Sequence, residues 1–191
     1  GLYFIDRYSN LQTPTQVELR DTKGQLLKAL ETNKAVSDYV ASHAYAPKEI
    51  TAFTTSDGQR IDISIIKPID FDPTKKYPVV LDVYGGPGSQ SVYNEFAVTS
   101  WHQWLAQTGY VVVGVNNRGS GGYGRDFEKV VYEKLGKYES LDFAETAAYL
   151  AKQSWVDGNR IAIRGHSYGG YMSSYTMLTH PGVFKVSLVG A

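Results

Sequence analysis

The sequence Gly-His-Ser-Tyr-Gly at residues 165–169 decides the fold of this chain. It has the form G-x-S-x-G; the largely apolar residues 160–164 precede it and a helix-forming stretch, 170–178, follows it. Strand, sharp turn and helix are the setting of a nucleophile elbow, in which a strained backbone presents a serine hydroxyl. Glycines flank the serine because a Cβ atom there would keep the strand and the helix apart. The motif predicts that Ser167 is a nucleophile.

A glycine-rich loop supports this interpretation. Residues 84–89, Tyr-Gly-Gly-Pro-Gly-Ser, directly follow an apolar strand candidate, 78–84. A serine nucleophile needs a base within hydrogen-bond reach and donors for the oxyanion that forms on attack. In G-x-S-x-G folds one donor is the backbone N–H after the serine, here that of Tyr168, and the other comes from the loop after the third strand. We expect the 84–89 loop to face Ser167.

The order of the predicted elements indicates an α/β fold, because strands alternate with helices from residue 48 onward. Two strands, 78–84 and 110–115, are nearly continuous apolar runs, which is typical of a sheet buried on both faces. Residues 1–33 instead predict a three-stranded antiparallel meander, followed by a helical turn and linker. The other predicted strands are 50–55, 60–66, 160–164 and 183–189, and the predicted helices are 101–107, 124–135, 141–152 and 170–178.

Composition excludes several classes of function. The 191 residues contain 19 basic and 19 acidic side chains and no cysteine. The balanced charge gives no electrostatic reason to expect nucleic acid as a partner, and thiol catalysis is excluded. No apolar run reaches the length of a membrane span. No acidic or histidine cluster has metal-ligand spacing, so we expect no cofactor and no metal. Because the chain starts inside a strand-like run without a Met, we expect it to be a piece of a longer protein.

Three ordered motifs carry a resemblance to a known family. Residues 82–87, 117–121 and 165–171 together resemble the prolyl oligopeptidase family, with the dipeptidyl peptidase IV branch most similar. The resemblance implies an α/β-hydrolase catalytic domain over residues 48–191, truncated so that its last strands are missing. It also implies that residues 1–47 are the last blade of a β-propeller and a linker. The expected activity is that of a serine peptidase that releases N-terminal dipeptides after proline or alanine through an acyl-enzyme.

The same resemblance assigns roles to three residues. Ser167 is the expected nucleophile, and the hydroxyl of Tyr84 and the backbone N–H of Tyr168 are the expected oxyanion hole. The Tyr168 ring is expected to help wall the proline pocket. His166 departs from the branch, which usually has tryptophan before the serine, whereas acylaminoacyl peptidases and many esterases have histidine there. Two alternatives therefore stay open: an acylaminoacyl peptidase or serine esterase on this fold, and a non-catalytic association module.

The chain offers no evident base for Ser167. In this fold the acid and the histidine follow the serine in sequence, and the chain ends 24 residues after it. We expect structural roles for the four histidines: His43 in the linker, His102 on a helix surface, His166 beside the elbow and His180 at a helix end. We therefore expect the isolated chain to be inactive as a peptidase.

The remaining motifs have ordinary structural interpretations. Residues 119–124 fit the dinucleotide-binding pattern G-x-G-x-x-G, but two helices follow where that site requires a strand. We predict a loop bordering the active site, with Arg118 in a structural ion pair. Trp101 and Trp104 are predicted to lie in the core, and Asp142 and Glu145 to form a capping box. For the parent protein we expect peptide substrates, a homodimer, and export to the periplasm or beyond.

Overall fold

The computed structural model describes residues 1–191, in which a small antiparallel sheet precedes a larger mixed one. The small sheet contains β1 (Tyr3–Tyr8), β2 (Gln16–Asp21) and β3 (Leu26–Glu31), in that order and with antiparallel pairing. The predicted three-stranded meander is therefore confirmed. The helix α1 (Lys34–Ser42) leads from this sheet toward the larger one.

The larger sheet has six strands in the order β4-β5-β7-β6-β8-β9. Its first two neighbouring pairs are antiparallel and the other three are parallel. Helices connect the parallel strands, so the chain has the α/β-hydrolase fold that the sequence predicted. The strands are β4 (Lys48–Thr54), β5 (Arg60–Ile66), β6 (Tyr77–Val83), β7 (Val111–Asn116), β8 (Val156–His166) and β9 (Val186–Gly190), and the helices are α2 (Ser100–Gln107), α3 (Arg125–Lys129), α4 (Lys137–Ala151) and α5 (Tyr168–Thr179).

Both faces of the central strands are covered, as their apolar sequences predicted. On one face, Leu81 packs in a core that includes Phe143 of α4 and Met172 of α5. On the other face, Val80 packs with Leu105 of α2 in a smaller cluster. Alternate residues of β6 therefore point to opposite helix layers, which explains why this strand is apolar at almost every position.

One predicted helix is shorter in the structure than predicted, and its neighbour begins earlier than predicted. The helix expected over 124–135 ends in the structure at Lys129, and turns follow in which Glu133 has a positive φ of 56°. A left-handed residue cannot continue a right-handed helix. The helix α4 then begins at Lys137, where Glu139 accepts a hydrogen bond from the Gly136 N–H at 3.0 Å. The capping box expected at residues 142–145 is therefore wrong, because the helix is capped six residues earlier, by Gly136 and Glu139.

The tryptophan pair is also placed differently from the prediction. The rings of Trp101 and Trp104 stack with centroids 5.2 Å apart, but the residues are 39% and 53% exposed. They lie on the outer side of α2 rather than in the core, because the inner side is occupied by Leu105 and its neighbour Ala106. None of the helices is long and apolar enough to cross a membrane.

Candidate active site

The nucleophile elbow lies between β8 and α5. Ser167 has φ 58° and ψ −122°, a conformation that is costly for a residue with a Cβ atom. Two hydrogen bonds hold it: the Ser167 N–H donates to the Gly190 carbonyl at 3.0 Å, and the Tyr171 N–H donates to the Ser167 carbonyl at 3.1 Å. The residue is exposed at the carboxyl end of the parallel strands, where α/β folds place their sites.

Close packing explains the glycines on either side of the serine. A Cβ atom on Gly165 would overlap the carbonyl oxygens of Gly169 and Val83, and one on Gly169 would overlap the same Val83 oxygen. Backbone atoms cannot yield as a flexible side chain can, so alanine at either position would force the strand and the helix apart. The structure thus confirms the steric reason given for the motif.

The glycine-rich loop begins where β6 ends and brings Tyr84 to the elbow. The Tyr84 and Tyr168 rings have centroids 6.1 Å apart, and Tyr84 is 41% exposed. A cavity of about 240 Å³ is lined by Tyr84 and Ser167 together with His166 and Arg164. The structure therefore brings together the three residues that the sequence singled out. Their catalytic roles stay predictions.

Tyr168 is anchored at its hydroxyl, which donates to Glu139 Oε1 at 3.0 Å. Burial of the phenol, with the charge of Glu139 beside it, raises the pKa of Tyr168 far above its usual value. The Tyr171 ring packs edge-on against the Tyr168 ring at 5.3 Å. Because Tyr168 is the first residue of α5, no earlier turn of that helix supplies an acceptor for its N–H. Its backbone donor is thus available beside Ser167 while its side chain is fixed.

A charged cluster beside Tyr84 was missed by sequence reasoning. His102, expected on the surface, is largely buried, and its Nε2 lies 2.6 Å from Asp82 Oδ2. Arg164 Nη1 donates to the other oxygen of Asp82 at 2.7 Å. Burial of Asp82 opposes its ionisation, but the hydrogen bonds from His102 and Arg164 outweigh burial and hold its pKa below the usual range. Asp82 is therefore ionised at neutral pH and fixes His102 away from the elbow.

The other histidines do not partner the serine either. His180 Nε2 lies 3.2 Å from the Ser140 hydroxyl, and His43 Nδ1 lies 2.8 Å from the Tyr39 carbonyl. His166 is exposed beside Ser167, and no hydrogen bond joins the two side chains. Within this chain the Ser167 hydroxyl therefore has no base in contact with it. The chain also has no group of three or more histidine, aspartate or glutamate side chains arranged to hold a metal ion.

Arg118 forms the structural ion pair that was predicted. Its Nη2 lies 2.6 Å from Asp142 Oδ1, and its Nη1 lies 2.6 Å from Asp57 Oδ2. The loop that follows contacts the Tyr84 loop, since the Gly88 N–H donates to the Gly119 carbonyl at 2.8 Å. Two helices, α3 and α4, lie between this loop and the next strand, β8, where a dinucleotide site has one helix followed by a strand. The 119–124 segment instead contacts the Tyr84 loop through this hydrogen bond and so supports the site.

Comparison with known proteins gives concordant matches. A model of the prolyl oligopeptidase family matches residues 96–191. The chain is similar to dipeptidyl peptidase 8 of Mus musculus, with 36% identity over 99% of this chain and 22% of that protein. It is also similar to a probable dipeptidyl peptidase 4 of Emericella nidulans, with 33% identity over 99% of this chain and 25% of that protein. The chain thus spans about a quarter or less of the length of these curated relatives.

A solved structure has the same fold at high similarity. The crystal structure of Porphyromonas gingivalis dipeptidyl peptidase 4 superposes with a TM-score of 0.94 and 38% identity. The match covers 98% of this chain and 27% of that one. Both sheets of this chain therefore have counterparts in that structure.

Proposed function

This chain belongs to the prolyl oligopeptidase family, and from that premise we propose that it is part of a serine peptidase that removes dipeptides from the amino terminus of peptides. The names of the relatives support the dipeptidyl activity. The proposed preference is for proline or alanine before the scissile bond. The observation that carries the proposal is that Ser167 and Tyr84 line one cavity, with the Tyr168 ring centroid 6.1 Å from that of Tyr84.

The proposed reaction is acyl transfer to serine. Ser167 Oγ attacks the scissile carbonyl carbon, and the carbonyl oxygen becomes an oxyanion that accepts hydrogen bonds from the Tyr168 N–H and the Tyr84 hydroxyl. Collapse of this intermediate expels the amine of the shortened peptide and leaves the dipeptide esterified to Ser167. Water then hydrolyses the ester. One oxyanion donor typically contributes about 3–4 kcal/mol to transition-state stabilisation.

We propose that the base which accepts the Ser167 proton is a histidine of the whole protein outside these 191 residues. Each histidine of this chain is either engaged elsewhere or not hydrogen-bonded to the serine. A serine without its base keeps about 10³- to 10⁴-fold catalysis over water in well-studied cases. The isolated chain should therefore be inactive as a peptidase.

Labelling by a fluorophosphonate probe tests the nucleophile and the missing base together. The whole protein should be labelled rapidly and its Ser167→Ala variant should not be labelled. The isolated chain should be labelled slowly or not at all. Rapid labelling of the isolated chain would show that it contains its own base.

A substrate panel tests the proposed specificity. The whole protein should release p-nitroaniline from Xaa-Pro and Xaa-Ala anilides with a free amino terminus, and should reject the same anilides when the terminus is acylated. His166 favours the alternative of an acylaminoacyl peptidase or esterase, because it lines the cavity beside Ser167 where the dipeptidyl branch has tryptophan. Preference for acylated or ester substrates would establish that alternative.

A non-catalytic association role is a second alternative, supported by the exposed apolar side chains of the small sheet, among them Phe4, Ile5 and Leu26. Light scattering that shows the isolated chain to be a monomer would count against it. For the whole protein we further propose a homodimer, checked by the same method, and export to the periplasm or beyond, checked by cell fractionation.

A further inference from the structure

Glu139 is a buried carboxylate for which the proposed reaction has no evident use. It lies in the first turn of α4 and is fully buried. It forms no ion pair, and its carboxylate accepts two hydrogen bonds, one from the Gly136 N–H and one from the Tyr168 hydroxyl, each at 3.0 Å. Burying an ionised carboxylate is costly unless donors compensate it. The free-energy cost of burying Glu139 therefore indicates that its two hydrogen bonds serve a function.

The two carboxylate oxygens contact different parts of the molecule. Oε2 caps the start of α4. Many exposed helix ends are capped without a buried charge. Oε1 contacts the side chain of Tyr168, whose backbone N–H stands beside the nucleophile. The Tyr168 ring is further confined by the rings of Tyr84 at 6.1 Å and Tyr171 at 5.3 Å. With the hydroxyl anchored as well, the first residue of α5 is held at both its ring and its oxygen.

We propose that Glu139 is a positioning residue of the active site, acting through the Tyr168 hydroxyl to hold the ring and the backbone N–H of Tyr168 in place beside Ser167. The inference rests on the proposed function, because it assigns Glu139 a part in the same acyl transfer. It goes beyond that function by placing one determinant of the oxyanion site on α4, 28 residues before the nucleophile. The high pKa of Tyr168 is consistent with it, since the phenol stays protonated as a donor.

A purely structural role for Glu139 makes a different prediction. If the carboxylate serves α4 alone, loss of the Tyr168 hydroxyl should not affect turnover, because the bond to Gly136 remains. If Glu139 positions Tyr168, loss of either partner should reduce turnover to the same extent. The losses of kcat in the two single variants should also not add in the double variant, because both residues act through one hydrogen bond.

The experiment is a double-mutant cycle in the whole protein with Glu139→Leu and Tyr168→Phe. The conservative variant Glu139→Gln keeps an amide that can still bond the phenol. Glu145→Gln, on the same helix but bonded to Ser56, is the matched control. The substrates are an Xaa-Pro p-nitroanilide and p-nitrophenyl acetate, and kcat and KM are measured separately for each.

We expect Tyr168→Phe and Glu139→Leu each to lower kcat about tenfold or more, as befits a hydrogen bond to a charged group. The double variant should be no slower than the slower single variant. Glu139→Gln should recover part of the loss, and Glu145→Gln should match wild type. Normal kcat in Tyr168→Phe, or losses that multiply in the double variant, would overturn the inference. If Glu139→Leu does not fold, Tyr168→Phe and Glu139→Gln decide. A lowered kcat in Tyr168→Phe with a smaller loss in Glu139→Gln supports the inference, and a normal kcat in Tyr168→Phe overturns it.

The ester substrate separates this inference from the proposed function. If the wild-type protein hydrolyses the ester but no dipeptide anilide, the dipeptidyl proposal fails while the cycle still measures the Glu139–Tyr168 coupling. If the anilide is cleaved and the cycle is additive, the proposed function stands and the positioning role fails. A wild-type protein that turns over neither substrate would overturn both.

Discussion

Removing Asp142 should destabilise this chain more than any change at a surface ion pair. The Asp142 side chain is completely buried and that of Arg118 is 7% exposed. Three of their contacts run between the carboxylate and the guanidinium, at 2.6, 3.0 and 3.2 Å, and a fourth joins the Arg118 N–H to the carboxylate at 2.7 Å. Complete burial raises the pKa of Asp142, and the Arg118 guanidinium opposes that rise. Each of the two buried charges is therefore compensated only while its partner is present.

The magnitude follows from what remains after Asp142→Ala. Arg118 keeps its contact with Asp57, whose side chain is nearly half exposed, and this lessens the penalty. Breaking a buried pair by removing one partner typically costs about 3–5 kcal/mol, and we expect the lower end, about 3 kcal/mol. For a chain of this size each kcal/mol lowers the melting temperature by about 2–4 °C, so we expect a decrease of about 6–12 °C.

The assay is thermal unfolding of wild-type chain and variant, followed by circular dichroism. The matched control is Asp157→Ala, which removes the partner of the exposed Arg160 at 2.7 Å and should lower the melting temperature much less. The double variant Arg118→Met with Asp142→Leu should recover much of the loss, because an apolar pair leaves no buried charge unpaired. Equal shifts for Asp142→Ala and Asp157→Ala would refute the reasoning.

Three further predictions concern the elbow and its surroundings. Gly165→Ala should abolish fluorophosphonate labelling of the whole protein, because its Cβ would overlap two carbonyl oxygens, whereas Gly182→Ala, which strains a positive φ of 86° but meets no neighbouring atom, should still be labelled. Tyr84→Phe should lower kcat about 10²- to 10³-fold with little change in KM if its hydroxyl is an oxyanion donor; an unchanged kcat would remove it from that role. Asp82 has a lowered pKa in the folded state, so its contribution to stability is present above its unfolded pKa of about 3.9 and is lost as the pH falls through the lower folded value. Asp82→Asn should therefore lower the melting temperature at pH 7 but much less at pH 3, and equal losses at both would contradict this.

Local patterns in the sequence predicted most of the fold because the strands and the elbow turn depend mainly on residues close to them in sequence. Apolar runs placed the central strands to within a residue or two, and the elbow motif placed Ser167 between strand and helix. The helix expected over 124–135 was too long because its whole composition suits a helix, whereas the chain turns at Glu133 and Gly136 packs under the Tyr171 hydroxyl of α5. Propensity cannot anticipate a segment whose conformation is determined by a helix that follows it in sequence.

The charged cluster beside the site was missed because strand order in the sheet differs from strand order in the chain. β6 and β8 are neighbours although β7 lies between them in sequence, and their register sets Asp82 directly opposite Arg164. A usable signal was nevertheless present: Asp82 lies two residues before Tyr84 in an otherwise apolar strand, and Arg164 lies three residues before Ser167, directly after the apolar residues 161–163. Opposite charges in two strands that must both reach the active site favour pairing of those strands, since either charge alone would be costly there. The same pairing gives His102 its partner, so the cluster follows from the crossover that brings the Tyr84 loop to the elbow.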